Sequence, residues 1–119
     1  MQILKKSLVR FTAAAGLALA SMVPHVSSGL AQQATVRVAL KDHRFAPAEP
    51  KAPAGQPFTI VLKNLDFTPA EFESKTLRVE KVVAGGGEIS IQIRPLHPGR
   101  YRFFDDFHED TTEGYLIVE

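Results

Sequence analysis

Short runs with apolar and polar residues at alternate positions, each closed by proline or glycine, leave this chain few folds. Ile89-Ser90-Ile91-Gln92-Ile93 is the cleanest run, with three isoleucines on one side. Thr35-Val36-Arg37-Val38-Ala39-Leu40 and the start of Leu77-Arg78-Val79-Glu80-Lys81-Val82 alternate in the same way. Phe58-Thr59-Ile60-Val61-Leu62 is apolar and β-branched, and Arg100-Tyr101-Arg102-Phe103 and Tyr115-Leu116-Ile117-Val118 complete the set. A period of two puts successive side chains on opposite faces of a strand, one toward a core and one toward water. The breaks come at Pro47, Pro50, Pro53 with Gly55, at Gly85-Gly86-Gly87, and at Pro95, Pro98 with Gly99. Strands this short and this closely spaced predict an all-β sandwich. Only residues 68–75 have a helical tendency, with Thr68 as N-cap and Pro69 as first helical residue, enough for a turn or two.

The first 31 residues have a different character. Lys5, Lys6 and Arg10 precede an apolar run from Phe11 to Val23, Pro24 ends it, and small and polar residues lead to Gly29-Leu30-Ala31. Basic, apolar and small zones in this order predict a secretory signal peptide over residues 1–31, cut after Ala31, with Ala34 the second choice. The run is too short to span a bilayer as a mature helix. An uncleaved anchor is the rival reading. Residues 32–119 then form one small domain. Of 14 basic residues three lie in the signal, and none of the 13 acids does. The domain therefore carries 11 basic residues against 13 acidic ones, a charge of −2, which excludes a basic nucleic-acid footprint. Export predicts the periplasm. There is no cysteine, so packing or a bound metal must do the work of a disulfide.

Three features invite chemistry. The triple glycine at 85–87 is followed by a strand pattern rather than a helix, so it reads as a hairpin turn and not a phosphate loop. Ser74 and Ser90 lack the context of an activated nucleophile, and no pattern marks an enzyme; metal oxidation is the one activity left open. The cluster Asp105-Asp106-Phe107-His108-Glu109-Asp110 holds five ionisable residues in six, and a cation would offset its self-repulsion. The plain alternative is a solvated loop. His43 beside Asp42 and His97 between prolines read as surface or turn residues. His25 leaves with the signal.

Phe45-Ala46-Pro47, Pro53-Ala54-Gly55, Asn64, Glu71-Phe72-Glu73-Ser74, Leu96-His97-Pro98-Gly99-Arg100-Tyr101, Phe103 to His108 and the closing Gly114-Tyr115-Leu116-Ile117-Val118 come in an order that resembles the cupredoxins. The likeness is to the small exported cupredoxin-like proteins of bacterial ferrous-iron or copper handling, and covers roughly residues 35–119. It implies a Greek-key β-sandwich of cupredoxin type. It also implies ligand positions: the first His near Glu71, the Cys at Asp105, the second His at His108 and the Met near Thr112 or Glu113. Only His108 keeps the usual residue. Carboxylates replace soft sulfur donors, and they suit Fe(II), Mn(II) or Ca(II). The candidate metal ligands are thus Glu71, Asp105, His108 and Glu113, with Glu73 close by. Asp106, Glu109 and Asp110 would steady them or form a second site. Glu80 is a secondary candidate, because the resembling proteins place an acid hereabouts. Tyr101 reads as structural, its hydroxyl reaching a backbone group at a sandwich corner.

The resemblance implies a periplasmic metal-binding accessory of ferrous-iron uptake. It would bind an iron or copper ion, Fe(II) or Cu(II), through carboxylates and one histidine. Its partner would be a membrane iron permease or another periplasmic metal-handling protein. The alternatives are an atypical copper carrier or electron-transfer cupredoxin, and a metal-free interaction domain.

Overall fold

The computed structural model describes residues 12–24 and 33–119. The chain divides into two compact units, Met1–Leu30 and Ala31–Glu119. In the first, residues 12–24 form neither helix nor strand. The expected signal segment otherwise lies outside the described residues, as does its cleavage point after Ala31. Among the described residues no helix is long and apolar enough to cross a membrane.

The second unit is a β-sandwich. Its strands are β1 (Ala34–Lys41), β2 (Arg44–Ala46), β3 (Lys51–Ala52), β4 (Phe58–Asn64), β5 (Ala70–Ser74), β6 (Val79–Val83), β7 (Glu88–Ile93), β8 (Gly99–Asp105) and β9 (Glu113–Val118). One sheet runs β2-β1-β4-β7 and the other β3-β9-β8-β5-β6. β1 pairs with β4 in parallel, as β3 does with β9, and the other pairings are antiparallel. Parallel neighbours cannot be joined by a hairpin, so the chain crosses between sheets.

The alternation of the sequence becomes the core. In β4, Phe58, Ile60 and Leu62 point inward with Asn64, and Ile91 and Ile93 of β7 are also buried. Phe45, Phe72 and Phe103 meet across the sandwich. Phe72 stacks on Phe103 with ring centroids 5.2 Å apart, and Phe45 meets Phe103 edge-on at 4.9 Å. Each such ring contributes about 1.5–3 kcal/mol by leaving water. Tyr101 donates its hydroxyl to the His97 carbonyl at 2.7 Å, closing the corner that the Pro98-Gly99 turn makes.

One segment departs from its local pattern. Residues 70–74 form β5, not a helical turn. Ala70, Phe72 and Ser74 face inward while Glu71 and Glu73 face outward. Pairing with β6 on one side and β8 on the other fixes the strand, and this burial outweighs the weak helical preference of Thr-Pro.

Candidate metal centre

The site begins with a turn held from outside. β1 and β2 are joined through Asp42 and His43, both in the left-handed region at φ 51° and 57°. A two-residue hairpin of this kind needs positive φ at both central residues. The carboxylate of Asp66 enforces it, its two oxygens accepting the backbone N–H of Asp42 at 2.7 Å and of His43 at 3.0 Å. These bonds hold the Asp66 carboxyl below the usual carboxylate range, the His43 bond most strongly. Asp66 is placed in turn by Asn64. The fully buried Asn64 accepts the Asp66 N–H at 3.0 Å and donates to the carbonyls of Thr68 and Ala84.

Facing that turn is the loop after β8. Asp105 is the last residue of the strand and only 1% exposed. Its Oδ1 accepts the N–H of Glu71 at 2.9 Å and of Phe107 at 3.1 Å, the second bond capping a 3-10 turn over Asp106–His108. Its Oδ2 lies 3.0 Å from Nδ1 of His108. The buried Thr112 closes the loop: its N–H donates to the His108 carbonyl, its carbonyl accepts the Asp105 N–H, and its hydroxyl donates to the His43 carbonyl at 2.7 Å. The His43 and His108 rings are thereby brought to 4.2 Å between centroids. A ring nitrogen of each and a carboxylate oxygen of Asp105 lie within 4.8 Å of one another.

A second group occupies the outer face of the five-stranded sheet. Glu71 and Glu73 leave β5 on that side, Glu80 stands opposite Glu73 on β6, and Asp106 follows β8. Carboxylate oxygens of Glu71, Glu73 and Asp106 lie within 4.8 Å of one another. Crowded anions resist ionisation. A hydrogen bond to Glu80, partial burial and the neighbouring charges push Glu71 up to about 7. Burial and Asp106 raise Glu73 as well.

The pleat explains why the expected ligands fall into two groups. Phe72 pairs with Asp105, and both point inward, so Glu71 and Asp106 on either side point out. Glu71, Glu73, Glu80 and Asp106 come together on one face. Asp105 and His108 come together with His43 at the end of the sandwich. Glu113 stands apart from both, its Oε2 2.7 Å from Nε of Arg102, which also draws in Glu109 at 3.6 Å. His43 is exposed, as a turn residue should be, yet it lies against His108. Nothing local in the sequence gives that neighbour; the one hint is Asp66 two residues beyond Asn64, a free acceptor for a distant turn.

The chain matches the cupredoxin-like domain family over residues 11–118. It is 41% identical over 83 residues to an uncharacterized protein of Rickettsia prowazekii (strain Madrid E). That match covers 70% of this chain and 66% of the relative, so the chain spans just under two thirds of the relative's length. Among solved structures it is similar to the metal binding domain of a Cu(I) exporting P-type ATPase of Streptococcus pneumoniae D39, with TM-score 0.61, 17% identity, and 71% of this chain and 84% of that one covered. It is also similar to auracyanin A, a blue copper protein of Chloroflexus aurantiacus, with TM-score 0.62, 14% identity, and 73% and 99% covered. At these identities the likeness shows the fold alone. A thiolate copper centre does not fit the residues present: the strand-end position holds the Asp105 carboxylate, the chain has no cysteine, and both methionines lie in residues 1–31.

Proposed function

The chain belongs to the cupredoxin-like domain family, and we propose that it is an exported, periplasmic metal-binding protein that holds a divalent cation on carboxylates. The observation that supports this is the convergence of Glu71 and Glu73 of β5 with Asp106 of the turn after β8, with Glu80 beside them. Three carboxylates this close repel one another when ionised, and a hydrogen bond to Glu80, partial burial and the neighbouring charges together hold a proton on Glu71 to about pH 7. A divalent cation replaces the proton and removes the repulsion. Oxygen donors are hard ligands and favour Fe(II), Mn(II) or Ca(II) over soft Cu(I). Fe(II) is the assignment that joins this donor set to the ferrous-iron context of the resembling exported proteins. The protein then serves ferrous-iron uptake as a carrier, passing its cargo to a membrane iron permease or another periplasmic metal-handling protein. Loading and release are binding steps that need no bond-making chemistry from the protein.

The test is calorimetric titration with Fe(II) under anaerobic conditions and with Mn(II), on wild type and on Glu71→Gln and Glu73→Gln. Each substitution keeps the shape and removes a charge, and each is expected to lower affinity at least about tenfold, roughly 1.4 kcal/mol. Unchanged affinity in both, in folded protein, rejects the carboxylate site. No Fe(II) or Mn(II) binding by wild type leaves the metal-free interaction domain as the reading. The copper relatives keep Cu(II) as the second reading, and the histidine pair at the end of the sandwich favours it.

A further inference from the structure

We propose that the outer face of the four-stranded sheet, together with the loop at its end that carries Leu65 and Phe67, docks on an anionic phospholipid membrane. The inference concerns a lipid surface and uses none of the groups assigned to metal, so it stands or falls apart from the carboxylate reading.

The pleat makes this face basic. Arg37 and Lys41 of β1 alternate with buried Val36, Val38 and Leu40 and so point away from the core, as do Arg44 of β2 and Lys63 of β4. Lys41 stands directly opposite Arg44, and Lys63 lies between Ala39 and Glu88. Glu88 is the acid on this face, and Asp42 follows Lys41 at the hairpin tip. Among the described residues none of the four basic side chains stands in an ion pair. Like charges directly opposite on neighbouring strands are destabilising. An anion supplied from outside the chain relieves the Lys41–Arg44 pair.

The loop supplies the apolar part. Leu65 continues the outward alternation of β4 past the buried Asn64; its N–H donates to the Leu40 carbonyl at 2.7 Å, and its side chain is 51% exposed. Phe67, two residues further, is fully exposed. A ring on a loose loop could fold back onto the protein, but this loop is clamped to the turn between β6 and β7. The Asp66 carbonyl accepts the Gly86 N–H at 2.9 Å, and the Thr68 carbonyl accepts the Asn64 side chain at 2.8 Å. Gly85 packs against the Phe67 carbonyl so closely that no Cβ fits between them. Lys63 reaches the same turn, donating to the Gly86 carbonyl at 2.8 Å. An aromatic ring at the headgroup boundary beside basic side chains is the combination that holds peripheral proteins on membranes. Neither half suffices: the charges alone are screened by salt, and one apolar group alone binds only marginally.

The opposite side of the sandwich has the opposite sign, with Glu71, Glu73, Glu80 and Asp106 on the outer face of the five-stranded sheet. Residues 32–119 carry 11 basic residues against 13 acidic ones, so the net charge gives no general attraction to anions. What remains is a molecule with two electrical sides. An anionic surface draws in the four-stranded sheet and repels the carboxylates, which makes docking oriented. The cations are spread over β2, β1 and β4, and a layer of headgroups meets all of them at once.

The experiment is co-sedimentation with vesicles of phosphatidylglycerol and phosphatidylcholine in equal parts, and with vesicles of phosphatidylcholine alone. Residues 32–119 hold the whole buried core, so this unit is used, freed of the apolar run at 11–23 that would bind lipid by itself. Wild type is expected to sediment with the anionic vesicles at low salt and to be released at high salt. Each basic residue at such a surface contributes about fivefold, so Arg37→Gln with Lys41→Gln should weaken binding at least about tenfold. Lys51→Gln with Lys75→Gln, the same charge change on the five-stranded side, should leave it within about twofold. The chain has no tryptophan, so Phe67→Trp gives a single reporter whose emission should shift to the blue on anionic vesicles. Circular dichroism checks that each variant is folded. Equal binding of wild type to neutral vesicles overturns the proposal, as does an equal loss in the Lys51–Lys75 pair, which shows net charge alone at work. Unshifted emission from bound Phe67→Trp protein also overturns it. No binding to anionic vesicles overturns it and leaves an acidic protein as the occupant of this face.

Discussion

Replacing Asp66 by alanine should both loosen the fold and disable the histidine pair, although Asp66 is no ligand. Its carboxylate accepts two backbone N–H groups, at 2.7 and 3.0 Å, and is 14% exposed. A hydrogen bond to a charged group contributes about 1.5–3 kcal/mol. Both donors lie on an exposed turn, so water takes over part of the role, and the expected net loss is near the lower end for the pair, about 2–3 kcal/mol. For a domain of this size about 4–8 °C of Tm goes with each kcal/mol, so the fall is roughly 8–24 °C. Asp66→Asn keeps one oxygen acceptor and should fall between the two. The acid side gives a further signature. Asp66 has its pKa depressed in the folded protein, so its contribution is present above the unfolded value of 3.8 and is lost as pH falls through the lower folded value. Asp66→Ala should lack that acid-side loss. Urea denaturation followed by circular dichroism at pH 7 measures the first effect, and Cu(II) titration the second. A loss below about 0.5 kcal/mol with wild-type Cu(II) affinity refutes the account of the turn.

The Glu71 carboxyl, raised from 4.5 to about 7, contributes stability that is present below about 4.5 and lost as pH rises through about 7. In metal-free protein Glu71→Gln should therefore flatten the decline of Tm between these values, and a decline of wild-type slope rules out Glu71 as its source. Cu(II)-loaded protein should show only weak ligand-field absorption and no intense blue band, because no sulfur lies in residues 32–119; an intense band in the optical spectrum contradicts the assigned donors. Gly114→Ala should cost about 1–3 kcal/mol, since a Cβ there comes within 2.5 Å of Phe103 Cζ and 2.8 Å of the Ala48 carbonyl oxygen. Urea midpoints test this, and Phe103→Leu in the same chain should recover part of the difference. N-terminal sequencing of exported protein should find Gln32 as the first residue, and an intact Met1 refutes the cut after Ala31.

The strands with clean alternation could be read from the sequence because burial of one face is a property of the residues themselves. Ile91 and Ile93 are buried with Ser90 and Gln92 outside, as the pattern in β7 requires. Tyr101 could be placed in the same way, from an amphipathic ring beside a Pro-Gly turn. β5 could not. Its five residues include two glutamates, and its strand identity comes from β6 and β8. The cluster from Asp105 to Asp110 was visible as a concentration of charge. Its division was hidden, because which side Asp105 faces depends on its pairing with Phe72. Glu71 is therefore bonded to Asp105 through its backbone while its carboxylate lies with the other group. His43 illustrates the same limit: its nearest functional neighbour, His108, is fixed by tertiary hydrogen bonds from Asp66 and Thr112.

The bond from the Thr112 hydroxyl to the His43 carbonyl spans 69 residues, and that span has a consequence for the order of events in the life of the chain. Contacts so remote are made only after the intervening loop has been closed, which is slow and entropically costly. The placing of His43 beside His108 therefore comes with the finished topology, whereas the contact of His108 with Asp105, three residues apart, is local. A ligand held by groups that only this topology assembles would act as a latch on the completed fold, stabilising the native state in proportion to the logarithm of its free concentration once that exceeds the dissociation constant.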